Sequence, residues 1–299
     1  MSWLFQPVAL ARIAWLRTLL YLFVPLDVLV TTPWVMAHDT APASLYAPLF
    51  VGRLLSHPAP AGWWVDLVQV LLLLAAVAAA SGRAPRLLGT AVFALYFEWM
   101  LIAMSYGKVD HDRFAFLVAL AVLPTVGAAR HRDRTPSQAA GFAVRCVTVA
   151  VVATYVLSVG AKHRFGGGLL NWLDSAVFVR AVLRRATPVG ELLLDVPGLL
   201  QVAQWGLVAM ELSAPVLLLL TGRRLYVALA AYALFHLGTW AVIAIVFLPH
   251  LVCFLAFLPL ERLLAPAQAA DEAPGRSDGG SAQAGVPPGS RWRLSATSR

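Results

Sequence analysis

Long apolar runs separated by short polar turns fill most of this chain. The runs occupy residues 8–30, 63–80, 87–106, 113–129, 139–161, 199–220 and 225–248, and a shorter eighth run follows at 250–264. About 20 apolar residues are what a helix needs to cross the hydrocarbon core of a bilayer. The pattern therefore predicts an all-α, polytopic integral membrane helical bundle with seven to eight transmembrane helices.

The pattern changes near residue 264, which divides the chain into two predicted parts. From residue 265 onward alanine, glycine, proline and serine dominate, with scattered charges. Such a segment buries too little apolar surface to order itself. We expect a transmembrane bundle over residues 1–264 and a disordered cytoplasmic tail over residues 265–299.

Composition agrees with a membrane protein and excludes several other classes. Hydrophobic residues make up 60% of the chain and charged residues 13%, so an ordinary soluble domain is excluded. The net charge of +8 comes mainly from arginines between the runs and in the tail, without the aromatic-studded basic face of a nucleic-acid binder. The two cysteines lie inside apolar runs, so we predict neither a disulfide framework nor a metal site. Membrane lipid is the expected partner.

The distribution of arginines predicts the orientation in the cell membrane. With the N-terminus in the cytoplasm, three arginine-rich turns and the tail also lie on the cytoplasmic side, as the positive-inside rule requires. The arginines of those turns are Arg83, Arg86, Arg130, Arg132, Arg134, Arg223 and Arg224. The connection that follows Lys162 carries four arginines on the opposite side and argues against this orientation. The orientation puts His111 and Lys162 at the same, outer, end of the bundle.

Lys162 is the first candidate for chemistry, because the chain has only two lysines against 21 arginines. Tyr155 and Ser158 lie seven and four positions earlier, so one helix face carries all three side chains. Gly166 to Gly168 follow and allow close backbone approach. One interpretation is a lysine that snorkels to the surface at a helix end. The other is a partly desolvated lysine that acts as a general base.

A second candidate is His111 between Asp110 and Asp112. The segment is either a solvated loop in which Asp112 caps the next helix, or a polar cluster at the mouth of the bundle. Its histidine would then hydrogen-bond a polar substituent of a substrate. No second histidine lies one helical turn away, so the spacing does not predict a metal site.

Four more ionisable residues fall inside the apolar runs: Glu98, Arg145, Glu211 and His236. Charged and polar groups at membrane depth are costly and usually face the bundle interior. They either hold helices together or line a cavity. We expect His236 to hydrogen-bond Glu98, Glu211 or Thr239.

Five stretches in order resemble the HTTM (horizontally transferred transmembrane) family, which is related to the transmembrane domain of vitamin K-dependent gamma-carboxylases. They are Pro7 to Arg17, Tyr106 to Phe114, Tyr155 to Lys162, Gly206 to Pro215, and Phe235 to Pro249. The third resembles the segment that ends in the carboxylase's catalytic lysine. Asp110 stands where the family has asparagine, and the chain lacks the carboxylase's large soluble portion.

The resemblance implies a bacterial membrane enzyme that uses a reduced, menaquinol-like quinone. In that family the quinone is oxygenated, the resulting base removes a proton from a glutamate side chain, and carbon dioxide adds. Carried over, Lys162 would deprotonate the quinol and His111 would contact its oxygen, supported by Asp110, Tyr155, Ser158, His236, Glu211 and Glu98. The substrate would be a small exported peptide or a lipid-like molecule. The alternative is a non-catalytic membrane factor for maturation, export or immunity of a secreted peptide. A transporter is less favoured, because the sequence predicts no interrupted helix pair.

Overall fold

The computed structural model describes residues 3–185 and 187–263, and regular structure in them is almost entirely helical. The predicted disordered tail lies outside these residues. The α-helices within them are α1 Leu10–Leu26, α2 Phe50–Leu54, α3 Gly62–Ala80, α4 Pro85–Ala103, α5 Phe114–Val122, α6 Gln138–Phe165, α7 Leu169–Leu173, α8 Val177–Arg184, α9 Pro188–Leu194, α10 Pro197–Ser213, α11 Gly222–Ile243 and α12 Leu248–Val252.

Long apolar helices confirm the prediction of an all-α membrane bundle. Five helical stretches in the described residues are long and apolar enough to cross a membrane, and a bent helix pair makes a sixth. The five are Leu10–Thr31, Gly62–Ala80, Pro85–Tyr106, Gln138–Phe165 and Gly222–Ile243. They match the predicted runs 8–30, 63–80, 87–106, 139–161 and 225–248 within a few residues at most ends.

The fourth and eighth predicted runs form shorter helices than their apolar length suggests. Helix α5 passes into a single 3-10 turn at Leu123–Thr125, where Pro124 has no N–H to continue an α-helix. Arg17 of α1 donates to the carbonyl oxygens of Leu123 and Gly127 and so satisfies the groups left open where the helix ends. The eighth run forms a helix over Leu248–Phe257 and, separately, a single 3-10 turn at Leu260–Arg262.

The sixth predicted run begins with a sharp bend that the sequence did not predict. Helices α9 and α10 meet at 112°, and the apolar stretch of the second continues to Leu218. Val196, directly before Pro197, adopts φ −131° and ψ 66°, outside the helical region. A residue before proline is sterically disfavoured in the helical region. The expectation of no interrupted helix pair was therefore wrong.

A short two-stranded ribbon ties the N-terminal segment to the beginning of α6. Strands β1 Val8–Ala9 and β2 Pro136–Ser137 pair antiparallel, with Val8 opposite Ser137. The ribbon fixes the beginnings of α1 and α6 beside each other at one end of the bundle.

Burial is uneven among the helices, and this difference positions the candidate site. In the most apolar windows of α1 and α6, 56% of residues are buried, but only 17% are buried in that of α11. The largest fully buried side chains include Tyr21 of α1, Tyr96 and Trp99 of α4, and Phe116 of α5. Helices α10 and α11 thus lie at the periphery, and the polar cavity described next opens where α6 faces them.

Candidate functional site

The C-terminal end of α6 carries an ion pair between Lys162 and Glu211 that is largely shielded from solvent. Lys162 Nζ lies 2.8 and 2.7 Å from the two carboxylate oxygens of Glu211 on α10, and 2.6 Å from Ser158 Oγ. Ser158 also donates to Glu211 at 3.0 Å. The side chains of Lys162 and Glu211 are 14% and 8% exposed. This geometry does not fit a lysine that only snorkels toward the surface.

The ion pair occupies all the donors of the lysine. An ammonium group has three N–H bonds, and Nζ has three acceptor contacts, one with Ser158 and two with Glu211. Lys162 can accept a proton only after one of its own has moved, and Glu211 is the group in contact that can take it. The chemical unit at this position is therefore the pair rather than the lysine alone.

The glycine-rich turn after α6 brings an aromatic ring beside the ion pair. Gly167 and Gly168 have φ angles of +71° and +111°, which favour glycine. A Cβ on Gly166 would lie 2.8 Å from the Cβ of Trp172, so only glycine allows α7 to pack this closely. As a result Lys162 Nζ lies 5.3 Å from the centre of the Trp172 ring. The close approach predicted for this turn is confirmed.

His236 on α11 bonds to Tyr155 rather than to the partners that the sequence predicted. Tyr155 Oη and His236 Nε2 are 2.7 Å apart, and both residues are buried. Thr239 donates to the backbone carbonyl of Phe235 instead. A phenol reaches a facing helix, whereas a threonine four residues from its acceptor bonds within its own turn. Tyr155 thus has a direct role in positioning His236.

Sequence reasoning missed His250, which follows Pro249 at the beginning of the eighth run. Its side chain is 1% exposed, and neither ring nitrogen has a hydrogen-bond partner among the described residues. His236 Nδ1 also has none. The His250 ring lies 4.8 Å from that of Tyr155 and 5.5 Å from that of His236. Buried polar groups normally have partners, so these nitrogens call for a bound polar group.

His111 and Lys162 line the same cavity, and the sequence predicted that they lie at one end of the bundle. Burial lowers the pKa of His111 below its ordinary 6.5, and the charge of Lys162 lowers the pKa further, while Asp110 opposes both. The imidazole is therefore neutral at pH 7 and presents one donor and one acceptor.

Asp110 and Asp112 turn away from this cavity and pair with Arg113. Asp110 Oδ2 lies 3.2 Å from Arg113 Nη1 and 3.3 Å from Lys108 Nζ. Asp112 lies 3.1 Å from the same guanidinium. Burial raises the pKa of Asp112 to about 6, although Arg113 opposes the rise. Neither carboxylate lines the Lys162 cavity.

Arg113 also joins a second buried polar network, formed with Asp27. Arg113 Nη2 lies 3.2 Å from Asp27 Oδ1, and Tyr96 donates to Asp27 Oδ2 at 2.7 Å. Thr31, which follows in the widened turn after Pro25, donates to Asp27 as well. Asp27 has no exposed surface. We call Asp27, Thr31, Tyr96 and Arg113 the Asp27 network.

Glu98 belongs to a third polar group, apart from the other predicted site residues. It accepts hydrogen bonds from Trp64 at 2.7 Å and pairs with His57 at 2.8 Å. The other ring nitrogen of His57 lies 2.7 Å from Tyr46 Oη. These residues surround a different cavity, so the supporting role predicted for Glu98 beside Lys162 does not match its position.

The polar cavity at Lys162 adjoins a larger apolar one. The polar cavity has a volume of about 180 Å³ and includes His111, Tyr155, Ser158, Lys162, Glu211, His236 and His250 in its lining. The apolar cavity has a volume of about 340 Å³ and lies between α8, α9, α10 and α11. Both are lined by Phe178, Leu207, Phe235, Thr239 and Ile243. Together they reach the size of small-molecule sites, roughly 300–1,000 Å³.

No group of three or more histidine, cysteine, aspartate or glutamate side chains within residues 3–185 and 187–263 is arranged to hold a metal ion. No protein-family model matches the chain, and neither the curated proteins nor the solved structures contain a match. The function must therefore be argued from the cavity itself.

Proposed function

We propose that this chain is an integral membrane enzyme that binds an amphipathic, quinol-like molecule at Lys162. The observation that carries the proposal is that the polar cavity and the apolar cavity adjoin and share five lining residues. A ligand whose polar ring bears a long apolar chain is the class that would fill both. The resemblance of five sequence motifs to the HTTM family implies the same class, and four of those motifs contain residues of the polar cavity.

The polar end of the ligand would be held by groups that otherwise lack partners. His236 Nδ1 and both nitrogens of His250 have none among the described residues. His111, neutral at pH 7, adds a donor and an acceptor to the same lining. A ring that carries two hydroxyl groups can bond to more than one of these histidines at once. The hydroxyl groups of a quinol both donate and accept hydrogen bonds, so a quinol ring would supply the partners that these nitrogens lack.

Lys162 and Glu211 supply the proton chemistry. When a proton moves from Lys162 Nζ to Glu211 Oε2, Nζ becomes able to accept another proton at the cavity wall. The net result is a protonated Glu211 and an ammonium at Lys162, which stabilises a nearby oxyanion. A bound quinol supplies an acidic hydroxyl and reducing equivalents for oxygen chemistry. Tyr155 keeps His236 oriented during this transfer.

We propose that the substrate to be modified approaches from the outer membrane face, at the His111 side of the cavity. The family resemblance makes a small exported peptide or a lipid-like molecule the expected substrate. Under the same proposal the chain crosses the bacterial cell membrane seven or eight times, with α5 and Leu248–Phe257 as short crossings. The N-terminus and the tail are then cytoplasmic. Cysteines introduced at Lys108 and Arg83 should be labelled from opposite sides of sealed vesicles.

The activity test compares the two lysines of the chain. The purified protein is given a reduced menaquinone analogue, and oxygen uptake is measured. Lys162→Ala should lower the rate by roughly 10²- to 10⁴-fold, the usual effect of a general base. Lys108→Ala removes a half-exposed lysine outside the cavity and should leave the rate unchanged.

Two results would contradict the proposal. One is an absence of oxygen uptake with every quinol tested, which would favour a non-catalytic membrane factor. The other is equal loss of rate in the Lys162→Ala and Lys108→Ala variants, which would show that the activity does not depend on the cavity.

Glu211→Gln should lower the rate as Lys162→Ala does, since the proton then has no carboxylate to reach.

A further inference from the structure

We propose that a second cavity, at the opposite end of α6, binds the phosphate of an anionic phospholipid. This cavity has a volume of about 270 Å³. It is lined by Trp3, Gln6, Arg12, Val144, Arg145, Thr148, Leu217, Leu218, Leu220, Thr221, Leu225, Ala256 and Phe257. We call it the Arg145 cavity. The proposal does not depend on the chemistry at Lys162.

Arg145 carries a positive charge that no described carboxylate neutralises. Its guanidinium donates to the carbonyl oxygen and the side-chain oxygen of Gln6, at 3.0 and 2.9 Å, and to the backbone of Gly141. Its Nε is buried without a partner among the described residues. Neutral oxygens satisfy two of the nitrogens but leave the charge unbalanced. A cation in this position attracts an anion.

The neighbouring Arg12 differs, because its charge is already paired. Arg12 donates through two nitrogens to the two oxygens of Glu261, both at 2.7 Å. Arg12 and Arg145 both line the cavity, and the one described carboxylate that pairs with either of them is Glu261, which binds Arg12. The net charge of this group, counting Arg12, Arg145 and Glu261, is +1. One phosphate diester with a single negative charge balances it.

The position of the cavity matches the level of lipid headgroups. Arg145 and Lys162 are 17 residues apart on one helix, which corresponds to about 25 Å along the axis. That distance is close to the hydrocarbon thickness of roughly 30 Å. If Lys162 lies at one boundary of the hydrocarbon, Arg145 lies near the other. Trp3, whose ring is 5.3 Å from the Arg145 guanidinium, suits the same interfacial layer.

The rest of the lining suits the glycerol backbone and acyl chains of a lipid. Leu217, Leu218, Leu225 and Phe257 make one side of the cavity apolar. Thr221 adds a hydroxyl at the turn before α11, beside Arg223 and Arg224 in sequence. A soluble phosphate would use the arginines but gain nothing from the apolar side. For that reason we assign the site to a phospholipid rather than to free phosphate.

Close packing of Gly141 on the N-terminal segment holds the Arg145 side chain in a fixed position. A Cβ at Gly141 would overlap the carbonyl oxygen of Gln6. Glycine at this position therefore lets Gln6 reach the Arg145 guanidinium and hold it at the cavity wall. The ribbon of β1 and β2 fixes the same segment from the other side.

The test measures lipid binding to the purified, delipidated full-length protein. Phosphatidylglycerol, phosphatidylcholine and inorganic phosphate are titrated separately, and bound ligand is counted by native mass spectrometry. Phosphatidylglycerol should bind most tightly, and Arg145→Gln should weaken its binding by roughly five- to tenfold, as expected for one lost cation. Arg180 is an exposed arginine of α8 outside the cavity, so the Arg180→Gln variant should bind phosphatidylglycerol as the wild type does.

A second variant gives an effect of opposite sign and does not depend on how well Arg145→Gln folds. Glu261→Gln releases Arg12 from its carboxylate and should tighten phosphatidylglycerol binding. Unchanged binding in Arg145→Gln, or weaker binding in Glu261→Gln, would overturn the proposal. Equal, Arg145-dependent binding of phosphatidylcholine would overturn the requirement for an anionic lipid. Displacement of the lipid by inorganic phosphate at equal concentration would assign the site to free phosphate instead.

Discussion

Two groups of buried charges in this protein differ in how completely they are satisfied. In the Asp27 network both carboxylate oxygens of Asp27 accept hydrogen bonds, one of them from the Arg113 guanidinium, and Arg113 Nε is the one atom of the network without a partner among the described residues. At Lys162 the ion pair is also complete, but the adjoining His236 and His250 leave three ring nitrogens without partners beside a cavity. The first arrangement is a closed structural contact. The second leaves hydrogen-bonding capacity for a ligand.

The comparison teaches that burial of a charge does not by itself indicate function. Asp27 has no exposed surface, whereas the side chain of Lys162 retains 14% exposure. The functional candidate is the less buried of the two, and it is distinguished by an adjoining space and by orphaned nitrogens. A matched set of variants in both groups can break or sharpen this distinction.

The largest effect on stability is expected from Asp27→Ala. Removing this carboxylate leaves the second nitrogen of Arg113, whose side chain is 4% exposed, with only the Thr31 hydroxyl as a partner. Breaking a buried pair on one side typically costs about 3–5 kcal/mol. We expect a lowered midpoint of thermal unfolding in detergent, with quinol binding unchanged at temperatures where the variant is folded. Wild-type stability in Asp27→Ala would show that the network is not structural.

A smaller effect is expected when the ion pair at Lys162 is replaced as a unit. The double variant Lys162→Met with Glu211→Met keeps similar volume and removes both charges. Such replacements are often neutral, or stabilising by roughly 1–4 kcal/mol. Unfolding should therefore occur at or above the wild-type temperature, while oxygen uptake is lost. A strongly destabilised double variant would place this pair in the same structural class as the Asp27 network.

His250→Phe should leave stability nearly unchanged and weaken ligand binding. The histidine forms no hydrogen bond that the phenylalanine would lose, so the free energy of unfolding should change by less than about 1 kcal/mol. Binding of the menaquinone analogue, measured by titration, should weaken because a ring nitrogen is missing. The matched control is Tyr96→Phe, which removes the hydrogen bond to Asp27 and should lower stability without affecting binding.

The smallest expected effect concerns pH. Burial and then Lys162 lower the pKa of His111 from its ordinary 6.5, so the neutral form persists through neutral pH. Ligand binding should stay constant from about pH 8 down through neutral pH and weaken as acidification protonates the ring. The charge of Asp110 favours protonation of His111, but Lys108 and Arg113 pair with Asp110 and offset that charge. His111→Asn should remove this acid dependence, and a persistent dependence would assign it to another group, such as His236 or His250.

Much of the fold followed from the apolar pattern, because five long helices match five long runs. The pattern did not predict where helices end inside a run. Pro124 and the capping contacts of Arg17 shorten α5, and Pro197 bends the chain between α9 and α10. The Arg17 contacts join residues far apart in sequence, so local periodicity does not contain them. The two prolines act locally, but they do not interrupt the apolar pattern from which the runs were read.

The site was predictable where its residues share one helix. Ser158 and Lys162 are four positions apart and do form a hydrogen bond. Partners on other helices were not predictable, since spacing along the chain does not say which helices face each other. Glu211 and Glu98 looked alike in sequence, yet one pairs with Lys162 and the other with His57. His250 gave no signal beyond its place after a proline.

The most direct measurement is a density map of the protein purified with a menaquinone analogue. We predict one elongated ligand whose ring lies within hydrogen-bond distance of Lys162 or His111 and of His250. Its chain should run past Phe178 and Phe235 into the apolar cavity between α10 and α11. Both cavities filled only by water or detergent at saturating analogue, or the analogue bound elsewhere in the protein, would contradict the assignment of Lys162 as the functional site.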